Sequence, residues 1–180
     1  MFDFSKNHFE LFGFPVSYVV DTSALAERYR ELQKVVHPDR YANASDQEKR
    51  LSLQHATLVN EAFNTLKDPL LRAKYLLHLH GVDTDGNETT SDPAFLMQQM
   101  EMREYLAAIP TKDDPLSSLD NLMGEIRGMI KNQVAQLTMQ FEDATPDQLT
   151  SARESISKMQ FLNKLQSEAE AVEADLEEMV

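Results

Sequence analysis

The tripeptide His37-Pro38-Asp39 sets an imidazole two residues from a carboxylate, inside the run LQKVVHPDRYANAS of residues 32–45. A carboxylate that orients an imidazole makes a general base, so the first chemistry to consider is proton abstraction. That reading lacks its other half. No nucleophile, glycine-rich loop or second carboxylate stands nearby in the chain, and a proline between base and orienter holds the backbone in an extended turn. Spacing also organises the residues ahead of the tripeptide. Arg30, Lys34 and His37 lie 4 and 3 apart, so a helical chain places them on one face. A basic strip leading to a rigid polar turn suits docking onto an acidic patch, with electrostatics guiding encounter and the loop giving specificity. The plainer reading is a helix C-terminus whose cations complement its dipole and whose end is set by proline. Local pattern leaves both open.

The elements that must position these residues are helical. Asn7 to Phe12 offers one or two turns ahead of Gly13 and Pro15. Asp21-Thr22 caps a segment reaching Val36, with Leu25, Tyr29, Leu32 and Val36 on a second, apolar face. Ser45 followed by Glu48 is a capping box for a helix of about 46–66, on whose apolar side His55 lies between Leu51 and Leu58. Asp68-Pro69 opens a short helix to His80, closed by Gly81. Residues 82–92 read as a polar linker. Beyond it, Asp92-Pro93 opens a helix to about Ile109. A longer one runs from about Pro115 to Phe141, with Leu119, Met123, Ile126, Ile130, Leu137 and Phe141 on one stripe. Thr145-Pro146 opens the last, which continues nearly to the end. No stretch alternates with period two for long enough to make a strand. The expected fold is all-α, with a small helical unit over 1–81 and an antiparallel three-helix bundle over 93–180.

Composition divides at the same place. Up to Gly81 there are 10 Lys and Arg against 10 Asp and Glu; from Val82 on, 7 against 20, so the formal −13 belongs to the second part. So acidic a half excludes nucleic acid as its ligand. Zero cysteines removes disulfides and thiolate metal sites. His78 and His80 stand at i and i+2, pointing to different sides of a helix, which disfavours shared metal ligation. The start, MFDFSKNHFE, lacks a basic leader with an apolar core, and no apolar run approaches the roughly 20 residues needed to cross a bilayer. A soluble cytoplasmic protein without a membrane, metal or cofactor is expected.

The stretches YRELQKVVHPDRY (Tyr29–Tyr41) and VNEAFNTLKDPLLRAKY (Val59–Tyr75) resemble a J-domain. In that family a helical hairpin presents His-Pro-Asp at its tip, and the order of pieces matches. Val36 stands where many members carry an aromatic. The resemblance implies a co-chaperone that docks on a DnaK-type chaperone and stimulates its ATP hydrolysis, and which is not itself an enzyme. It carries a docking role onto His37, Pro38 and Asp39, with Arg28, Arg30, Lys34 and Arg40 as basic contacts.

The second half narrows the resemblance. NHFELFGFP, RAKYLLHLHG, DPAFLMQQMEMREYLAAI (Asp92–Ile109) and MQFLNKLQSEAEAVEADLEE (Met159–Glu178) are similar to the iron–sulfur co-chaperone family HscB, nearly end to end. This implies that the bundle binds an IscU-type iron–sulfur scaffold and brings it to the specialised chaperone HscA. Periodicity speaks to the same helix independently. With Phe95 at zero, Met102, Leu106 and Ile109 return to within about 40°, whereas Leu96, Met97 and Met100 fall at about 100°, 200° and 140°. One helix thus has two apolar faces, the second bordered by Glu101 and Glu104. It is either a helix buried on both sides or one that offers a patch to a partner. The resemblance assigns scaffold contact to Leu96, Met97, Met100, Glu101, Glu104 and Phe161; for Phe161 it is the only argument. Ala108 stands where another acid is expected. Two other functions share part of this pattern: a J-protein serving a different client, and a His/Asp-dependent hydrolase.

Overall fold

The computed structural model describes residues 6–37, 39, 44–82, 90 and 92–178. The chain divides into two compact units, 1–80 and 81–180. The described residues hold seven α-helices and a 3-10 turn, and no strand. None of these helices is long and apolar enough to cross a membrane.

The first unit holds α1 (His8–Phe12), α2 (Thr22–Val36), α3 (Asp46–Lys67) and α4 (Pro69–Leu79). Each starts where its cap residue demands. Asn7 and Glu10 form a reciprocal capping box, as do Ser45 and Glu48. The Asp21 carboxylate accepts from the Ser23 and Ala24 amides, and the Asp68 carboxylate from that of Leu71. Gly13, at φ 76°, ends α1 in the left-handed region that only glycine enters freely. α2 and α3 pack as a hairpin against which α1 and α4 lie. Phe9, Phe12, Leu25, Leu66, Leu76 and Leu77 are fully buried in this unit.

On α3 the buried face is Ser52, Ala56, Val59, Ala62 and Leu66, which corrects the expected apolar side. Leu51 is 47% exposed and His55 only half-buried. Small side chains at 52, 56 and 62 interleave with Val59 and Leu66 on this face, so neighbouring helices can approach α3 closely there.

The His8 ring stacks on Tyr75 with centroids 4.2 Å apart, and the His8 amide donates to the Tyr75 hydroxyl at 3.0 Å. Burial lowers the His8 pKa below its ordinary 6.5, with Glu61 acting in the opposite sense. A base whose folded pKa is depressed supports the fold in its neutral form. That support is complete above pH 6.5 and is lost as pH falls through the folded-state value. The melting temperature of the parent is therefore expected to fall more steeply than that of His8→Phe between about pH 7 and about pH 5. Equal slopes in a pH series of thermal melts would remove His8 from the acid response.

The second unit holds α5 (Pro93–Ala108), a 3-10 turn (Ile109–Thr111), α6 (Pro115–Asp143) and α7 (Pro146–Glu178). The connection between α6 and α7 is so short that the two must run antiparallel. One core joins Phe95, Met102, Leu106 and Ile109 to Leu119, Leu122, Met123 and Ile126 of α6 and to Leu162, Leu165 and Ala169 of α7. Along α6 the expected stripe is largely the buried one, but Gln140 joins it, donating to the Ser155 hydroxyl at 3.1 Å. Helix α6 ends at Ala144 with φ 46° and ψ 33°. A Cβ in this region is strained by about 1 kcal/mol or more. Ala144→Gly is expected to raise the unfolding free energy by about 1 kcal/mol, read as a shifted midpoint in urea. A lower midpoint would show that chain entropy outweighs the strain.

Candidate functional site

Each unit presents one exposed surface built by contacts distant in sequence. In the first unit the surface lies at the end of α2. The His37 amide donates to the Gln33 carbonyl at 3.0 Å, and the His37 backbone then turns extended, at φ −60° and ψ 128°, as the following proline requires. The Val36 carbonyl, which loses its helical partner here, accepts from the buried Ser52 hydroxyl at 2.8 Å. The end of α2 is thereby tied to α3, and Val36 itself is only 3% exposed. The rotation of α2 is set by a polar cluster. The Tyr29 hydroxyl donates to Asn60 Oδ1 at 2.8 Å, the Gln33 amide nitrogen donates to the same oxygen, and the Tyr29 ring stacks on Phe63 at 4.1 Å.

With α2 so held, Arg30, Lys34 and His37 all lie exposed on one face. Arg28 does not join them. It sits about 160° round the helix from Arg30, where Nε donates to the Phe12 carbonyl and a guanidinium nitrogen pairs with Glu31 at 2.5 Å. The side chains of His37 and Asp39 are open to solvent, 52% and 90% exposed. The Asp39 amide donates to His37 Nδ1 at 3.3 Å, with the Asp39 carboxylate 3.6 Å from the same nitrogen. Nothing among the described residues places a nucleophile against it. Pro38 and Arg40 lie outside the described residues.

In the second unit the surface centres on α5. Asp92 caps the helix, accepting from the amides of Ala94 and Phe95 at 3.0 and 3.3 Å, and its other oxygen takes Lys158 Nζ at 2.7 Å. The hydrogen bond from Lys158, then the helix amides, hold the Asp92 carboxyl below its ordinary pKa. Thr90 bridges the same corner, accepting from the Asp92 amide at 3.2 Å and donating to Glu154. The start of α5 is thus pinned to α7, and one turn further along α7 Phe161 meets the Phe95 ring edge-on, with centroids 5.8 Å apart.

This register decides which apolar face of α5 is inside. Phe95, Met102 and Leu106 are buried, while Leu96 is 41% and Met97 and Met100 are each 65% exposed. Burial on both sides, one of the two readings of the sequence, does not occur. The exposed residues fall into two flanks. Leu96, Met100 and Arg103 repeat at spacings of 4 and 3 on the flank nearer α7, where the Arg103 guanidinium lies 5.2 Å over the half-buried Phe161 ring. Met97 and Glu101 lie on the other flank. With Gln98, they line a groove of roughly 520 Å³ against Met129, Asn132 and Gln133 of α6. Glu104 is exposed between the flanks, and the exposed Ala108 follows it by one turn.

The Asp92–Lys158 clamp, the Arg103–Phe161 stack and the groove against α6 carry no signature in the sequence. Only Arg103 could have been found there, since it continues the Leu96–Met100 stripe. The described residues contain no cluster of His, Cys, Asp and Glu able to hold a metal ion.

Comparison with known proteins agrees over nearly the whole chain. Residues 91–170 match the family model described as the HSCB C-terminal oligomerisation domain. A relative named co-chaperone protein HscB homolog, from Shewanella loihica, is 47% identical over 171 residues, covering 93% of this chain and 97% of its own. Among solved structures, chaperone HscB from Vibrio cholerae superposes with a TM-score of 0.87 at 39% identity, covering 95% of this chain and 99% of its own. Human co-chaperone protein HscB gives a TM-score of 0.86 at 31% identity, covering 95% and 84%. The all-helical architecture, the exposed turn at the end of α2 and these matches lead to one conclusion: the chain belongs to the HscB co-chaperone family.

Proposed function

We propose that this protein acts in the cytoplasm as an adaptor between two partners. Its J-domain, through His37-Pro38-Asp39 and the cationic residues Arg30, Lys34 and Arg40, docks on the DnaK-type chaperone HscA and stimulates its ATP hydrolysis. Its bundle, through Leu96, Met97, Met100, Glu101, Glu104 and Phe161, binds the IscU-type scaffold and delivers it to HscA for iron–sulfur cluster assembly or transfer. The protein itself catalyses no reaction.

The observation that carries this reading is the exposure of Met97 and Met100, each 65%, on a helix whose opposite face is core. Apolar side chains left in water beside carboxylates are an interface awaiting a partner, and methionine adapts to an irregular one. On the J-domain, a charged strip beside a solvent-exposed turn supports recognition by a second protein rather than turnover of a small substrate. Arg28, engaged with Phe12 and Glu31, contributes to holding α2 rather than to the exposed strip.

The test is the ATPase rate of HscA with and without this protein, crossed with IscU-type scaffold. The expected outcome is stimulation by the protein alone and a further increase when scaffold is added. Stimulation with no scaffold binding would assign the bundle to a different client. Turnover by the isolated protein would overturn the adaptor reading.

A further inference from the structure

We propose that Met97 and Met100 form a modification site, at which oxidation of the two thioethers to sulfoxides by a peroxide switches off scaffold binding. The inference rests on the scaffold-binding role of the exposed face of α5. The chain has no cysteine and nine methionines, of which only Met1 precedes Met97. Its oxidisable sulfur is therefore concentrated in the bundle, and the J-domain holds one sulfur, in Met1. An oxidant can thus silence the bundle while the action of the J-domain on HscA continues.

Within the bundle the sulfurs are not equivalent. Met102, Met123 and Met159 are buried. Met129 is half-buried, and the Gln98 amide nitrogen donates to its sulfur at 3.9 Å. Met97 and Met100 are each 65% exposed, and Met139 is 69% exposed. Oxidation follows the access of sulfur to an oxidant dissolved in water, so these three react ahead of the buried ones. Met97 and Met100 stand one turn apart on α5, so a single turn carries both. In the reaction a lone pair of the thioether sulfur attacks one oxygen of hydrogen peroxide. The O–O bond breaks as the S–O bond forms, and the proton of the transferred oxygen passes to the departing hydroxide to give water. Sulfur loses two electrons and the peroxide gains them.

A sulfoxide puts a polar, strongly accepting group where a flexible apolar sulfur stood. In the free protein water solvates that oxygen, and neither side chain belongs to the core, so the fold is unchanged. Docking is different, because the partner strips the water away. An apolar contact surface offers the oxygen no donor, and each buried acceptor left unpaired opposes binding. The neighbouring acids add to this. Glu101 lies four residues after Met97, and Glu104 four after Met100, each on the same side of the helix as its methionine. Ionised carboxylates only accept hydrogen bonds, so they repel the new oxygen rather than relieve it. The change is also reversible, since sulfoxide reductases return each epimer to the thioether.

In the experiment the full-length protein is treated with hydrogen peroxide, freed of oxidant, and only then mixed with purified IscU-type scaffold or HscA. Peptide mass spectrometry over time follows each methionine, and calorimetry gives the scaffold affinity. Met97, Met100 and Met139 are expected to gain one oxygen each before Met102, Met123 and Met159. Scaffold affinity is expected to fall about tenfold or more, while the melting temperature and the basal stimulation of HscA stay at untreated values. Treatment with a pair of reductases, one for each sulfoxide epimer, is expected to restore binding. A Met139→Leu variant is expected to lose affinity on oxidation as the parent does. The double variant Met97→Leu/Met100→Leu keeps apolar bulk and, judged against its own untreated affinity, is expected to lose none. The inference is overturned if Met97 and Met100 oxidise no faster than the buried methionines, or if the oxidised parent binds scaffold as before. Loss of affinity on oxidation of the double variant would overturn it too, and if that variant binds too weakly to titrate, failure of the reductases to restore the parent does so. Absence of scaffold binding before any peroxide is added would instead fail the reading of the whole surface, and this inference with it.

Discussion

The His37→Gln variant is expected to leave HscA ATP hydrolysis at its unstimulated rate at every concentration tried, while binding IscU-type scaffold as the parent does. Both halves follow from where His37 sits. Its backbone amide, not its ring, caps α2 through the Gln33 carbonyl, and its side chain is 52% exposed. Loss of the imidazole should therefore shift stability by no more than about 0.5 kcal/mol, as for surface substitutions generally. The anchors of the neighbouring strip are also untouched: Ser52 still holds the Val36 carbonyl and Asn60 still holds Tyr29 and Gln33. What disappears is the imidazole ring. The measurement is a stimulation curve for HscA with parent and variant, paired with a scaffold titration. Stimulation equal to the parent's would refute the docking assignment. Loss of scaffold binding in this variant would show that the two units do not act separately.

The second large effect is expected from changing Leu96, Met97 and Met100 together to Ala. These side chains contribute nothing to the core: Leu96 is 41% and each methionine 65% exposed. Alanine is also the best helix former, so α5 should keep its shape. If the three are buried against scaffold, their loss removes the central apolar contacts of the interface. About 1–2 kcal/mol per truncated contact would weaken binding about a hundredfold or more. Basal stimulation of HscA should remain, and the extra stimulation by scaffold should vanish. The structure adds a finer division. Leu96 and Met100 adjoin the Phe161 side, whereas Met97 lines the groove toward α6. Single variants therefore report on the two flanks separately. Parent-like binding by the triple variant would leave this face as surface and nothing more.

Arg28 and Leu51 show what the surrounding elements add to the local pattern. The family resemblance groups Arg28 with Arg30 and Lys34, whereas helical spacing sets it about 160° from Arg30, where its Nε donates to the Phe12 carbonyl. On α3, bulk makes Leu51 look inward, but it is 47% exposed and the buried face runs through Ser52, Ala56, Val59, Ala62 and Leu66. In both cases the deciding atoms belong to another element.

Everything governed by neighbours within about four residues was legible in the sequence. The starts of α1 to α7, the all-helical class, the extended backbone at His37 ahead of its proline, and the existence of two apolar faces on α5 are all of this kind. Caps and helical periodicity are local physics, and each is carried by residues a turn apart. Which face of α5 meets water is not local. It depends on Asp92 reaching Lys158, 66 residues on, and on Phe95 meeting Phe161. The placement of Arg103 over Phe161 follows only once those contacts have set the register of α5 on α7. Registers between helices are chosen by side-chain packing and a few long-range polar clamps, and no short stretch of chain records them. The sequence by itself therefore determined the helices, their ends and the residues able to recognise a partner; the tertiary structure alone decided which of those residues stand together, exposed, on one surface.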